Sequence, residues 1–146
     1  MFKSLLRTDA DYSATVLRLM LGLVFFAHGA QKMLGWFGGG GYSGTMQALG
    51  GMGIPSFMIF LLIVTEFFGS IALIIGFLGR VAALGIGTVM VVAVVKVHAA
   101  NGLFMNWYGA QPGEGFEYHL LVIAVAAALL IKGSGALSVD VALSSR

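Results

Sequence analysis

The sequence predicts an all-α integral membrane protein, a four-helix bundle with both termini in the cytoplasm and long outer loops. The first observation is composition: hydrophobic residues make up 59% of the 146 residues and charged residues only 10%. A soluble domain carries about a quarter charged residues, so the mean hydropathy of +0.97 indicates a chain dissolved in lipid. The second observation is four apolar segments of the length that a spanning helix needs, about 20 residues.

The predicted spans cover residues 14–34, 56–78, 81–100 and 117–133, within a single domain over residues 1–146. The first segment is preceded by basic residues and could instead be a signal peptide cut after Gly29. Its apolar pattern, however, begins near Ala14 and reaches Leu34. That length favours a span over a cleaved leader.

The boundaries of the other three spans have local signals. Pro55 marks the start of the second span, because proline is favoured in the first turn of a helix. Only Gly79 and Arg80 separate the second and third spans, which predicts a tight helical hairpin. The fourth span ends at Lys132 and Gly133, a basic last turn followed by a glycine cap.

The distribution of basic residues predicts the orientation. Two of them, Lys32 and Lys96, lie on the side opposite the termini. Six lie on the side of the termini, namely Lys3, Arg7, Arg18, Arg80, Lys132 and Arg146. The positive-inside rule therefore places both termini in the cytoplasm and the loops 35–55 and 101–116 outside. Within the first loop we expect one helical turn, Thr45 to Gly50, lying on the membrane.

Ionisable side chains inside the apolar segments mark the candidate site. Glu66 lies in the middle of the second span, and the others crowd the outer ends of their spans: His28, Lys32, Lys96, His98, Glu117 and His119, with Tyr118 beside them. Ionisable groups in lipid are costly, and they persist where they are paired or functional. We therefore expect a site in the outer half of the membrane, open to the periplasmic side.

Helical phase refines which side chains meet. His28 and Lys32 are four residues apart and share a face. Lys96 and His98 are two residues apart, about 200° around a helix, so we expect that both cannot point to the same place. Glu117 and His119 diverge in the same way.

Several kinds of chemistry fit this set. A quinone site needs an apolar slot and polar groups for the carbonyls; Glu66, His28 and His119 are its candidate catalytic residues. The candidate cofactor-binding residues are His28, Lys32, Lys96, His98, Glu117 and Tyr118. Haem or a metal ion is the alternative cofactor, although no histidine pair has a local ligand spacing. A proton or ion path through Glu66 is a further hypothesis. The purely structural alternative is a buried Glu66–Lys96 or Glu66–Lys32 ion pair that only locks the bundle.

Composition also excludes some functions. The chain has no cysteine, which excludes a thiol–disulfide relay and a thiolate-held iron–sulfur cluster. A net charge of +2 is too small to indicate a nucleic-acid partner. Any redox chemistry must therefore use a bound cofactor or a quinone, and the partner that composition does predict is the lipid bilayer.

A set of short motifs resembles the DoxX family. These are LGLVFFAHGAQKMLGW after Arg18, ALGGMGIP, Glu66 with Gly69, GFLGR, and the end of the third span at His98. In this order they resemble the family over about residues 14–143. The resemblance implies a multi-pass protein of the bacterial inner membrane, related to the small membrane subunit of a thiosulfate:quinone oxidoreductase.

That resemblance also implies a function. The chain would be a quinone-linked subunit of a membrane oxidoreductase complex that needs a membrane or periplasmic redox partner for catalysis. The alternatives are a protein that binds or transports a small solute or ion, and a scaffold whose outer loops dock a partner. The sequence predicts no particular oligomeric state.

Overall fold

The computed structural model describes residues 5–144, and these are mostly helical, with no strand among them. This confirms the all-α class. The helices, in chain order, are α1 Tyr12–Leu34, α2 Gly41–Gly51, α3 Ser56–Ile75, α4 Gly79–Ala93, α5 Glu117–Lys132 and α6 Val139–Ser144. A π-helical turn, Val94–His98, and a 3-10 turn, Ala99–Asn101, continue α4. Lys3 and Arg146, used above for the orientation, lie outside the described residues.

Three helices in the described part of the chain are long and apolar enough to cross a membrane. They are α1, α3, and α4 together with its continuation to Asn101. With 16 residues, α5 is shorter. The fourth crossing and the location of the termini therefore stay predictions.

The long helices alternate in direction. Arg80, at the start of α4, donates hydrogen bonds to the carbonyls of Leu130 and Ile131 at the end of α5. At the other end, the rings of His98 and His119 lie 4.1 Å apart between centroids. Helices α4 and α5 are therefore antiparallel along their length. We call the end of the bundle at Arg80 the turn end and the end at His98 the loop end.

Two glycines allow α1 and α3 to pack closely. A Cβ atom on Gly29 would lie 2.6 Å from the backbone nitrogen of Phe67, and one on Gly22 would lie 2.8 Å from Cγ1 of Ile74. Small residues let helix backbones approach in lipid, where no hydrophobic effect drives helices together. This contact fixes how α1 and α3 face each other at the site described below.

The helix ends follow the local sequence. Asp11 caps α1 by accepting a hydrogen bond from the backbone nitrogen of Ser13, at 2.8 Å. Gly35 ends α1 and Gly76 ends α3, with φ of 76° and 71°. Glycine adopts this left-handed conformation without the steric cost of a Cβ atom. Pro55 precedes the first residue of α3, as predicted.

The helix in the first outer loop is longer than expected. The sequence predicted a single turn from Thr45 to Gly50, whereas α2 runs from Gly41 to Gly51. Gly39 lies so close to Gln31 of α1 that a Cβ atom there would clash with its backbone. Packing of this segment against α1 thus outweighs the low intrinsic helix propensity of glycine.

The core lies between α1, α3, α4 and α5. Its buried side chains include Phe25, Leu73, Ile86, Val122, Ala126 and Leu129. Towards the turn end this core is closed. Towards the loop end the four helices enclose a cavity.

Candidate functional site

A cavity of about 760 Å³ occupies the loop end of the bundle. Pockets that bind small molecules measure roughly 300–1,000 Å³, so the volume suits an organic ligand. Its walls are mostly apolar, with side chains from every long helix and both outer loops, among them Phe25, Leu62, Met90, Val97 and Met105. The polar groups that interrupt this surface include most of those singled out in the sequence.

Glu66 and Lys32 form an ion pair on one wall. Lys32 Nζ lies 2.5 Å from Glu66 Oε2, and the side chains are 27% and 4% exposed, respectively. The sequence left Lys32 and Lys96 open as partners, and the structure selects Lys32. The close packing of α1 on α3 at Gly29 brings the two together. His28, one turn before Lys32 on α1, also lines the cavity.

Two histidines form the opposite wall. The rings of His98 and His119, which are in contact and tilted by 41°, join α4 to α5. His98 Nδ1 donates to the carbonyl of Glu114 at 2.8 Å, and Asn101 Nδ2 donates to the same carbonyl at 3.1 Å. The second outer loop is thereby tied to the end of α4 and covers the loop end of the cavity.

Two buried polar atoms on this wall have no partner. Tyr118 Oη and His119 Nδ1 are buried, and neither makes a hydrogen bond within the part of the chain that the structure describes. Both residues line the cavity. Buried polar atoms are paired in the great majority of cases, because an unpaired one costs about 1–3 kcal/mol. These two atoms are therefore candidates to bind a ligand's polar group.

Lys96 and His98 were expected not to point to the same place, and they differ in exposure: Lys96 is exposed and His98 is half-buried. Both residues line the cavity. The prediction assumed a regular α-helix, whereas both residues belong to the π-helical turn Val94–His98. Such a turn changes the helical phase, and π turns are frequent at functional sites.

Glu117 does not contribute to the cavity wall, contrary to its proposed binding role. Its Oε1 accepts hydrogen bonds from the backbone nitrogen of Met105 at 3.0 Å and from Trp107 Nε1 at 3.3 Å. Because Glu117 and His119 lie on different faces of α5, one binds the outer loop while the other faces the cavity. Glu117 thus holds the loop in place.

Three polar residues of the cavity wall were not predicted. Thr65 and Thr88 come from α3 and α4, and Glu114 comes from the second outer loop. Single hydroxyl groups in apolar segments are a weak signal, because a threonine can bond its own helix, as Thr88 does with the carbonyl of Leu84. Glu114 also accepts a hydrogen bond from the backbone of Asn106.

The site does not have the make-up of a metal centre. Within residues 5–144, no three His, Asp or Glu side chains form a group that could hold a metal ion. The histidines instead contact each other, as His98 and His119 do, or lie beside aromatic rings, as His28 does beside Phe25. The described groups suit an organic ligand with polar atoms at one end.

Comparisons with known proteins cover most of the chain. The family model described as DoxX matches residues 13–99. Over 136 residues the chain is 29% identical to "Inner membrane protein YqjF" of Escherichia coli (strain K12), covering 93% of this chain and 95% of the relative. Over 130 residues it is 28% identical to "Putative oxidoreductase CatD" of Bacillus subtilis (strain 168), covering 89% and 86%. No solved structure matches the chain.

Proposed function

This chain belongs to the DoxX family and is a multi-pass protein of the inner membrane, and we propose that it binds a quinone as the membrane subunit of an oxidoreductase complex. The observation that carries the proposal is the pair of unpartnered polar atoms, Tyr118 Oη and His119 Nδ1, in a mostly apolar cavity. A quinone ring presents carbonyl oxygens on an apolar body, which is the complementary arrangement.

The character of the cavity favours a lipid-soluble ligand over a polar solute or an ion. Most of its lining is apolar, and Glu66, the side chain that an ion path would use, is already neutralised by Lys32. An ion path needs polar groups along its length, because hydrocarbon surroundings make a bare charge costly. These observations support a binding site for an uncharged, mostly apolar molecule.

Each residue of the wall has a role in this proposal. Tyr118 Oη donates a hydrogen bond to one carbonyl oxygen of the quinone ring. His119 Nδ1 donates to the same oxygen or to a water molecule beside it. A bound quinone supplies the capacity to take up electrons together with protons. Glu66 and His28, on the opposite wall, would relay the protons that such uptake requires: each accepts a proton that enters from water and passes it on towards the ring.

In this proposal the electron donor is another chain. This sequence has no cysteine, and no three His, Asp or Glu side chains of the described residues form a group that could hold a metal ion. One relative carries the word oxidoreductase in its name, which supports a redox role. The loop end, where the cavity lies closest to water, is the surface on which a membrane or periplasmic redox partner would dock.

The proposal is tested by measuring quinone binding to two variants, each with one tyrosine replaced. Tyr118→Phe removes the unpartnered hydroxyl, and Tyr108→Phe is the control because Tyr108 is 96% exposed and outside the cavity. Quinone bound to the protein in lipid nanodiscs is measured against empty nanodiscs. We expect Tyr118→Phe to weaken binding about tenfold through the lost hydrogen bond, and Tyr108→Phe to leave it unchanged.

The melting temperatures of the same variants test whether the Tyr118 hydroxyl has a merely structural role. Since the hydroxyl of Tyr118 is buried without a partner, its removal should leave the melting temperature of the ligand-free protein unchanged or raise it. Absence of quinone binding by the native protein would overturn the proposal. So would equal affinities of the two variants.

A further inference from the structure

The main cavity continues into a second one. The second cavity measures about 500 Å³ and lies where α3 begins and α4 ends. The two share six lining residues, namely Met52, Ile54, Met58, Val92, Lys96 and Val97. They adjoin at the loop end and form one continuous space between α3 and α4.

Helices α3 and α4 meet near their middle. A Cβ atom on Gly85 of α4 would lie 2.8 Å from Cγ2 of Thr65 on α3, so the Thr65 side chain packs directly on the backbone of α4 there. From this contact towards the loop end, the residues that face each other line the cavity instead of packing together. The two helices therefore form a cleft that is closed at Thr65 and open at the loop end.

The cleft opens sideways, onto the surface that lipid covers. Met58 and Leu61 line the cavity and are nevertheless 39% and 45% exposed. Thr88, across the cleft on α4, also lines the cavity and is exposed. We take these exposed lining residues, which lie on the facing helices α3 and α4, to mark the opening of the cavity. We call the opening formed by Met58, Leu61, Thr88 and Val92 the side cleft.

We infer that the ligand enters from the bilayer through the side cleft and that its apolar tail stays there while its ring lies at Tyr118 and His119. This inference rests on the proposed function and narrows its substrate class to quinones with a long apolar tail. The side cleft adjoins the cavity at one end and lipid at the other, so a tail that lies in it exchanges lipid contacts for protein contacts without crossing water. Quinones without a tail would bind through the ring alone.

Two neighbouring valines provide the test. Val92 lines both cavities, whereas Val91 lines neither and is 47% exposed. Val92→Phe therefore narrows the side cleft, and Val91→Phe adds the same bulk to the outer surface of the same helix. A third variant, Thr88→Phe, narrows the side cleft at an exposed position in case Val92→Phe fails to fold.

Binding of a decyl-substituted benzoquinone is compared with that of the methyl-substituted ring in nanodiscs, after subtraction of partition into empty nanodiscs. We expect the native protein and Val91→Phe to bind the decyl compound at least about tenfold more tightly, because the tail packs against the side cleft and adds van der Waals contacts that the methyl ring lacks. In Val92→Phe and Thr88→Phe the decyl affinity should fall about tenfold, while the methyl affinity should change less than about twofold.

The outcomes separate this inference from the proposed function. If all variants bind the decyl compound equally and the methyl ring still binds, the side cleft does not hold the tail, and quinone binding itself stands. If the native protein binds the two compounds with equal affinity, the inference is overturned in the same way. If the native protein binds neither compound, the proposed function falls and the inference falls with it.

Discussion

The ion pair of Lys32 and Glu66 has unequal members. Glu66 is 4% exposed and Lys32 is 27% exposed, so the carboxylate depends on its partner more than the ammonium does. A lysine has a flexible stem that can carry its charge towards water, whereas a glutamate in the middle of α3 has no such route. The consequence of breaking the pair therefore depends on which residue is changed.

We expect Lys32→Met to destabilise the protein more than Glu66→Gln. Lys32→Met leaves a buried, unpaired carboxylate, and removing one partner of a buried pair costs about 3–5 kcal/mol. Glu66→Gln leaves a lysine that can reorient, so we expect a loss of about 1–2 kcal/mol. Thermal unfolding in detergent, followed by near-UV circular dichroism, measures both losses.

The double variant is the control for this prediction. Lys32→Met with Glu66→Gln contains no charge at this position, and we expect its stability to exceed that of Lys32→Met alone. A double variant less stable than both single variants would show that the two residues stabilise the protein through separate contacts. Equal losses in the single variants would contradict the unequal burial.

At this scale the sequence predicted the polar residues better than their partners. The position of Glu66 in an apolar segment was sufficient to predict a buried, paired carboxylate. The choice between Lys32 and Lys96 was not predictable, because it depends on how closely α1 approaches α3 at Gly29. The joint presence of Lys96 and His98 on the cavity wall was also unpredictable, since the π turn that permits it has no clear sequence signal.

At the scale of helices, a buried arginine joins three chain segments at the turn end. Arg18 is 2% exposed, and its guanidinium has five N–H donors that can bond carbonyl oxygens. It donates to the carbonyls of Leu73, Ile74, Ser134, Ala136 and Leu137. The first two lie in the last turn of α3, where the Leu73 carbonyl also accepts from the backbone nitrogen of Gly76. Arg18 thus adds donors to carbonyls at a helix C-terminus, where a positive charge is favourable.

We expect Arg18→Lys to cost at least about 2 kcal/mol of stability, although it keeps the charge. An ammonium has three donors on one atom and cannot reach five carbonyls spread around the edges of the planar guanidinium, so buried carbonyls lose their partners. Arg80→Lys is the matched control: Arg80 also bonds carbonyls, but it is only half-buried, and water can replace its contacts. Equal losses in chemical denaturation would contradict this argument.

A second link at the turn end depends on pH. Asp11 caps α1 and pairs with Lys132 at the end of α5. The hydrogen bond from Lys132, with further help from Ser13, holds the pKa of the Asp11 carboxyl well below its ordinary value of 3.8. A carboxyl whose pKa is lower in the folded state than in the unfolded state stabilises the protein at pH values above the unfolded-state pKa. This contribution is lost as the pH falls below that pKa.

Asp11→Asn tests the link, because asparagine caps a helix about as well as aspartate but carries no charge. We expect the melting temperature of the native protein to exceed that of the variant by a constant amount above about pH 5. Below about pH 4 the difference should shrink as Asp11 is protonated. A difference that does not change with pH would show that the ion pair contributes nothing. The effect should also decrease at high salt, because the pair is partly exposed.

The helices themselves were largely predictable, because apolar length and glycine or proline boundaries determine them locally. The segments predicted at 14–34 and 56–78 correspond to Tyr12–Leu34 and Ser56–Ile75. The predicted single turn at Thr45 was extended by packing against α1, which is a tertiary effect. The structural role of Arg18 was not apparent either, since a basic residue near the start of a span is also what the positive-inside rule predicts.

At the scale of the whole molecule, the direction of α5 bears on how often the chain crosses the membrane. Helix α5 lies antiparallel to α4, from the His98–His119 contact at one end to the bonds of Arg80 at the other. Its 16 residues extend about 24 Å, less than the roughly 30 Å of a hydrocarbon core. Lys132, 51% exposed at its end, has a stem long enough to reach the interface. A helix alongside α4 over this distance occupies the same layer of the bilayer.

We therefore expect four crossings, with the C-terminus on the same side as the N-terminus and, by the positive-inside rule, in the cytoplasm. Alkaline phosphatase, active only in the periplasm, and green fluorescent protein, fluorescent in the cytoplasm, are fused in turn after Arg146 and after Gly109 of the second outer loop. Fusions after Arg146 should be fluorescent and without phosphatase activity, and fusions after Gly109 should show the reverse. Phosphatase activity at both positions would mean that only α1, α3 and α4 cross the membrane. The wall with Tyr118 and His119 would then lie on a helix outside the bilayer, and a lipid-soluble ligand would no longer be the one that the cavity favours.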